Sequence, residues 1–205
     1  GDSDRRHGLA DDIVILGVFV ADAAFRCAQL PRLGETVIGT GFALGPGGKG
    51  SNQAVAAARA GGRVAFLARI GEDRFGEIGR ETWAAAGVTP LVIRDAARAT
   101  GAAGIFIEES AGGNAIVISP GAAAAITVAD VEARATEIGR ARVAVTQLEQ
   151  PVPVAERFLQ LASAAGVTTV FNPAPAANLP AGLLALCDYV TPNEAEAEAL
   201  TGIAV

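Results

Sequence analysis

Short apolar runs that stop at glycine constrain this chain more than any other feature. Ile13-Val14-Ile15-Leu16 contains no polar residue and ends at Gly17, the pattern of a strand covered on both faces. Parallel sheets are built from such strands. Val64–Ile70 is strand-like and also stops at a glycine, Gly71. Between the two, Ser51–Ala60 is an alanine-rich helical stretch closed by Gly61-Gly62, and after the second, Phe75–Ala86 is helical with Gly87 as its stop. Strand, helix, strand, helix is the signature of an α/β fold.

The middle of the chain interrupts this rhythm. Ala102–Glu108 and Asn114–Ser119 read as two strands of a hairpin joined by Glu109–Gly113. Glu35–Leu44 alternates in Thr, Val, Ile and Gly and predicts an exposed strand pair. Neither segment carries a crossover helix, so the two are expected to pair in a small sheet apart from the main one. From Val128 the alternation resumes, with helix Val128–Gly139, strand Arg142–Leu148, helix Val154–Ala165, strands Thr168–Phe171 and Tyr189–Thr191, and a helix starting at Glu194. Asn172–Pro180 is a proline-bearing loop.

A chain of 205 residues fits one domain. No apolar run approaches the roughly 18 residues of a membrane span, so no membrane association is expected. Sixteen Lys and Arg against 22 Asp and Glu, a net charge of −6, argue against nucleic acid and for a small-molecule partner. Cys27 and Cys187 are far apart in sequence and suit a reduced cytoplasm. The one histidine, His7, lies in the polar segment 1–10, which reads as a tail. Neither a histidine-based triad nor a zinc site can therefore be assembled.

The glycine cluster Gly45-Pro46-Gly47-Gly48-Lys49-Gly50-Ser51-Asn52 is the most unusual stretch. A Walker loop needs its lysine followed directly by Ser or Thr, and Gly50 intervenes. Gly45-x-Gly47-x-x-Gly50 matches a dinucleotide fingerprint, with Glu72 or Asp73 further on, and so suggests a nicotinamide-dependent oxidoreductase. That reading wants a buried strand just before the glycines, whereas Glu35–Leu44 alternates. A third reading is a turn whose glycines let backbone approach a polyol, with Lys49 and Asn52 aiming donors from a helix start. A glycine turn without a ligand is the fourth.

Gly47-Gly48-Lys49-Gly50-Ser51-Asn52-Gln53-Ala54 and Ile70-Gly71-Glu72-Asp73-Arg74-Phe75-Gly76 resemble the N-terminal signature of the ribokinase-like, or phosphofructokinase-B, carbohydrate kinases. The likeness continues through Gly34-Glu35-Thr36-Val37, Gln147-Leu148-Glu149, Asn172-Pro173-Ala174-Pro175-Ala176 and Thr191-Pro192-Asn193-Glu194-Ala195-Glu196, and covers about residues 12–205. Within the family the order and spacing are most similar to the ribokinases.

The resemblance implies a three-layer α/β/α sandwich with a mostly parallel sheet and a small β lid, the lid strands at about 34–45 and 100–120. It implies an ATP-dependent kinase acting on a primary hydroxyl of a pentose, ribose or a relative. Asp22, Gly48, Lys49, Asn52 and Glu149 would bind the sugar. Asn193 and Glu196 would serve the ATP phosphates, with Glu196 reaching Mg2+ through water, and a monovalent cation such as K+ is a possible further cofactor. The family's base, an aspartate in a Gly-Ala-Gly-Asp motif, is absent up to Val205 and is expected beyond it. With no methionine in the chain, residues 11–205 are expected to be the N-terminal two-thirds of a protein of roughly 300 residues, a length in keeping with domains of this class. This segment alone is then expected to be inactive, and a non-catalytic sugar-binding protein is the alternative. One departure concerns the sugar: the ribokinases have Asn two residues before the aspartate, and here Val20 stands there, which leaves room for another pentose, a ketohexose or a deoxy sugar acid. Lids of such kinases often form homodimers, and the two alternating segments suit that role.

Overall fold

The structure, a computed structural model, describes residues 11–204, so the expected tail and His7 lie outside the described residues. Its strands are β1 (Ile13–Leu16), β2 (Val20–Cys27), β3 (Gly41–Gly47), β4 (Val64–Gly71), β5 (Thr89–Asp95), β6 (Thr100–Glu108), β7 (Asn114–Gly121), β8 (Val143–Thr146), β9 (Thr168–Phe171) and β10 (Tyr189–Val190). Its α-helices are α1 (Lys49–Arg59), α2 (Arg74–Ala86), α3 (Val128–Glu132), α4 (Ala135–Arg140), α5 (Val152–Ala164) and α6 (Glu194–Thr201).

Six strands form a sheet in the order β10-β9-β8-β1-β4-β5, every neighbouring pair parallel. The apolar tetrapeptide β1 sits inside this sheet, as its unbroken pattern predicts. Val14 and Leu16 pack with Val131, Ile138 and Phe158 of α3, α4 and α5, while Ile15 packs with Ala54 of α1 and Trp83 of α2. Alternate residues of one strand thus serve two cores, and the result is the three-layer sandwich. The indole Nε1 of buried Trp83 donates to Ser51 Oγ at 2.9 Å, which ties α2 to α1.

A second sheet, ordered β3-β2-β6-β7, stands apart from the first. The hairpin β6–β7 is where the pattern puts it. It does not pair with Glu35–Leu44, however: β2 lies between, parallel to β6 and antiparallel to β3. Residues 34–40 form no strand, with Ile38 89% exposed, and β3 is displaced toward the glycines. Alternation alone did not distinguish a strand from an exposed loop, because neither face of 34–40 meets a partner. β5 was not anticipated, since it contains Pro90; it is an edge strand, where a missing N–H is tolerated. The expected helix Val128–Gly139 is broken into α3 and α4 at Ala133–Arg134, and no glycine or proline marks the break.

One set of hydrogen bonds fastens the second sheet to the first through Asp73 and Thr100. The Asp73 carboxylate caps α2 through Gly76 N–H (2.8 Å) and also accepts Thr100 N–H (2.7 Å) at the start of β6. Thr100 Oγ1 accepts Gly71 N–H at 2.9 Å, where a side chain on Gly71 would place its Cβ 2.5 Å from Thr100 N. Much of the Gly71–Gly76 signature is therefore spent on anchoring the lid.

Candidate active site

In the six-stranded sheet the chain moves from β1 through β4 to β5 on one side, then returns to β8 on the other and continues through β9 to β10. The order reverses between β1 and β8. In open parallel sheets ligands bind at such a reversal, beyond the carboxyl ends of the strands. A cavity of about 390 Å³ lies there under the lid. Val18 follows β1, Leu148 and Glu149 follow β8, Pro175 follows β9, and Lys49 opens α1. Val20, Ile118 and Pro120 of the lid complete the wall.

Glycines shape the floor, each for a different neighbour. Gly48 has φ +92°, and a Cβ there would lie 2.3 Å from the Val18 carbonyl oxygen. A Cβ on Gly47 would meet both Asp22 carboxylate oxygens at 2.3 Å, so this glycine makes room for that side chain. Gly50 and Gly17 pack backbone to backbone: a Cβ on either would stand 2.6 Å from the other's Cα. The glycine cluster thereby brings the first turn of α1 against the end of β1. The close-approach reading of the cluster matches this geometry. The dinucleotide reading does not, because β3, which leads into the glycines, belongs to the lid sheet.

Two carboxylates face this region. Asp22 lies within β2 and not in a turn; it is half-buried, and burial raises its pKa above the ordinary 3.8. Glu149 Oε2 accepts Lys49 N–H at 2.7 Å and so caps the amino end of α1. Burial raises the Glu149 pKa above 4.5; the Lys49 N–H and charge pull it down, and the charge of Asp22 adds to the rise. Of the residues singled out in the sequence, Lys49 and Glu149 line the cavity, Asp22 adjoins it, and Gly48 forms its turn. Asn52 sits in the first turn of α1 with an exposed side chain, off the residues that line the cavity.

Asn193 and Glu196 start α6, just past the carboxyl end of β10. They form a reciprocal capping box: Glu196 N–H donates to Asn193 Oδ1 (2.8 Å) and Asn193 N–H to Glu196 Oε2 (2.9 Å). β10 lies two strands from β8 along the same edge, roughly 10 Å at ordinary strand spacing. The pair is thus on the ligand side of the sheet but in a different part of it from Glu149. Among the described residues no group of three or more His, Cys, Asp or Glu is placed to hold a metal. No helix is long and apolar enough to cross a membrane. Cys27 and Cys187 are free, and burial pushes the Cys187 thiol up to about 11.

Sequence reasoning missed Ile118, Pro120, Leu148 and Pro175 as cavity walls. Only the tertiary placement of the lid and of the 172–180 loop over the strand ends brings them there. It also missed Gln147, which is fully buried beneath the glycines and donates through Nε2 to Gln53 Oε1, while its own Oε1 has no partner.

The model of the pfkB family of carbohydrate kinases matches residues 10–205. The chain belongs to that family. It is 38% identical over 194 residues to the ribokinase of Haemophilus influenzae, covering 94% of this chain and 63% of that one. It is 33% identical over 199 residues to the deoxyribokinase of Salmonella typhi, covering 95% and 64%. The solved structure of Arabidopsis thaliana ribokinase complexed with ribose and ATP superposes with a TM-score of 0.82 at 28% identity, covering 96% of this chain and 64% of that one. This pfkB chain therefore spans less than two thirds of the length of these relatives. The α/β sandwich with its small second sheet agrees with the pfkB assignment.

Proposed function

We propose that this pfkB chain supplies the sugar-binding part of an ATP-dependent kinase that transfers the γ-phosphate to a primary hydroxyl of a pentose, ribose or a related sugar. The observation that carries the reading is the cavity at the sheet's reversal point, where Asp22, Lys49 and Glu149 converge beneath the lid. Asp22 and Glu149, ionised, accept sugar hydroxyls. Burial raises the Asp22 pKa, so a hydroxyl donated to its carboxylate would restore part of the solvation that the ionised group loses. Lys49 donates from the opening of α1, where Gly48 gives close approach, and Asn52, exposed in the same turn and outside the cavity lining, would donate only to a sugar that extends past the cavity's rim. Phosphoryl transfer depends mainly on such positioning and on charge neutralisation.

Asn193 and Glu196 fit a magnesium-bound triphosphate. The capping box occupies Glu196 Oε2 and orients the carboxylate at a helix amino end, with Glu194 in the same turn, and so sparse a donor set suits an ion that keeps its waters and leans on substrate phosphates. Bound there, Mg2+ would neutralise charge on the transferred group. No residue among those described is assigned to a base or to K+. The lid's outer face, where exposed Phe25 lies 4.9 Å from Phe42 and 5.7 Å from Phe106, supports a homodimer through the lids. Two free thiols suit the cytoplasm.

Calorimetric titration of the chain with a panel of pentoses and hexoses tests the site. A pentose should bind, and Asp22→Asn should weaken it at least tenfold without loss of the fold. Equal binding by Asp22→Asn, or binding of nicotinamide nucleotides in place of sugars, would overturn the reading.

A further inference from the structure

The amide of Gln147 sits where a core selected for stability alone would hold carbon. Gln147 follows β8 and is fully buried. Its Nε2 donates to Gln53 Oε1 near the start of α1, and its own Oε1 has no partner. A buried oxygen left unpaired is less stable than an apolar group of the same shape in its place. The slot around Oε1 is walled by glycine backbone: a Cβ added to Gly17 would stand 2.6 Å from it, and one added to Gly50 3.0 Å. Gln150, also buried, directs its Nε2 to Thr146 Oγ1 (2.8 Å) and to the Gln147 carbonyl (2.6 Å), which fixes the backbone from which the Gln147 side chain starts.

What the amide provides is a second hold on α1. The bend 147–150 meets this helix at two levels. Glu149 Oε2 accepts Lys49 N–H at 2.7 Å beside the cavity, and Gln147 holds Gln53, one helical turn further along, beneath the glycines. Among the described residues no other hydrogen bond joins the bend to α1. Without the lower tie, the helix would be bonded to the bend only through the carboxylate that a sugar is to use. With it, the distance between Lys49 and Glu149 is set by groups that no ligand touches. Glu149 can then turn toward a hydroxyl while α1 stays in place.

We propose that Gln147, acting through Gln53, is a positioning residue of the sugar site that fixes Lys49 and the start of α1 against the Glu149 carboxylate. This rests on the sugar-site reading above. A residue kept for packing loses stability when its polar atoms are removed. Gln147 carries an unpaired buried oxygen, so removing them should leave stability unchanged or raise it while binding suffers. Opposite signs in the two quantities separate the two roles.

The test combines urea unfolding with calorimetric titration of ribose and 2-deoxyribose, on the unsubstituted chain and on Gln147→Met, Gln53→Met and Gln53→Glu. Methionine keeps the length of glutamine without its amide, and Gln53→Glu keeps an acceptor for Gln147 Nε2. Gln147→Met should keep or raise the urea midpoint while weakening sugar binding by roughly five- to tenfold. Gln53→Met should weaken it by the same factor, and Gln53→Glu should not. In both methionine variants the decline of affinity on acidification should also move to higher pH. The Lys49 N–H bond that lowers the Glu149 pKa is loosened there, whereas burial and the charge of Asp22 still raise it. Unchanged affinity in the methionine variants overturns the inference and leaves the sugar site standing. So does an affinity loss matched by a lower urea midpoint, which would make Gln147 a packing residue, and so does an equal loss in Gln53→Glu. Binding of neither sugar by the unsubstituted chain overturns the sugar site and the inference together. If Gln147→Met does not fold, half-buried position 53 still decides, because Gln53→Met and Gln53→Glu differ in the same hydrogen bond.

Discussion

Gly50→Ala isolates what the glycine cluster does. Gly50 is buried near the start of α1, and its φ is not positive, so alanine is conformationally acceptable there and brings a helix-propensity gain of at most about 1 kcal/mol. Against that, the new Cβ would lie 2.6 Å from Gly17 Cα and 3.0 Å from Gln147 Oε1. Carbon atoms rest at about 3.5–4.0 Å, so α1 and the end of β1 must part by roughly 1 Å. Overpacking of this kind costs about 1–3 kcal/mol. The clash wins, and the net expectation is a loss of about 1–2 kcal/mol, read as a lower urea midpoint with an unchanged slope. Lys49 and Asn52 move with the helix, so pentose affinity should fall at least tenfold. Two companions calibrate the result. Gly45→Ala meets no atom within 4 Å and should stay within about 0.5 kcal/mol of the unsubstituted chain. Gly48→Ala combines φ +92° with an approach of 2.3 Å to the Val18 oxygen and should be worse than Gly50→Ala. A Gly50→Ala chain that is as stable as its parent and binds sugar equally would refute the claim that backbone contact with Gly17 sets the position of α1.

Ser51→Ala removes the acceptor of the fully buried Trp83 N–H and should cost about 1–3 kcal/mol in urea unfolding, with Trp83 fluorescence as the probe. Burial pushes the Asp95 carboxyl up, but hydrogen bonds from Ala97 N–H, Arg69 and Arg98 outweigh it and hold the pKa at about 2. Its contribution to stability is therefore present above the ordinary 3.8 and lost as pH falls toward about 2, so Asp95→Asn should flatten the acid limb of the stability profile across that interval. Asp22 and Glu149 have the opposite sign. Their raised pKa values mean that the folded chain binds these protons more tightly than the unfolded one, so the ionised groups cost stability above those values and cease to as pH falls through them. Sugar binding needs the ionised forms. Affinity should therefore decline on acidification from a higher pH than ordinary carboxylates would give, and Asp22→Asn or Glu149→Gln should remove part of that decline in a calorimetric pH series.

The parts of this fold that were legible in the sequence are those whose signal is local. β1 announces itself by an unbroken apolar run because both faces are covered, β4 by a run interrupted only at Arg69, and α2 by the Gly87 stop. β2 was not legible: its residues have no single pattern, since Val20 and Asp22 face the cavity while Ala21 and Cys27 are buried on the other side. The loop 34–40 looks like a strand for the converse reason, an alternating pattern without a neighbouring strand to pair with.

The site divides in the same way. Asn193 and Glu196 satisfy each other as a capping box, so residue types at that spacing are equally what a helix start requires and what a phosphate site would use; local chemistry cannot separate the two. The glycine cluster is different, because no local requirement asks for glycine at all of its positions. Only Gly48 needs it for backbone conformation. Gly47 is required by the Asp22 side chain and Gly50 by the Gly17 backbone, neighbours from 25 and 33 residues earlier in the chain. A run of glycines therefore tells a reader that something must come close, and the sheet order tells what: β1, β2 and α1 meet where the chain reverses direction beside β8. That shared contact makes the lid, the helix start and the Asp22 carboxylate one mechanical unit, which is why a single methyl group at Gly50 is expected to be felt in sugar binding as well as in stability.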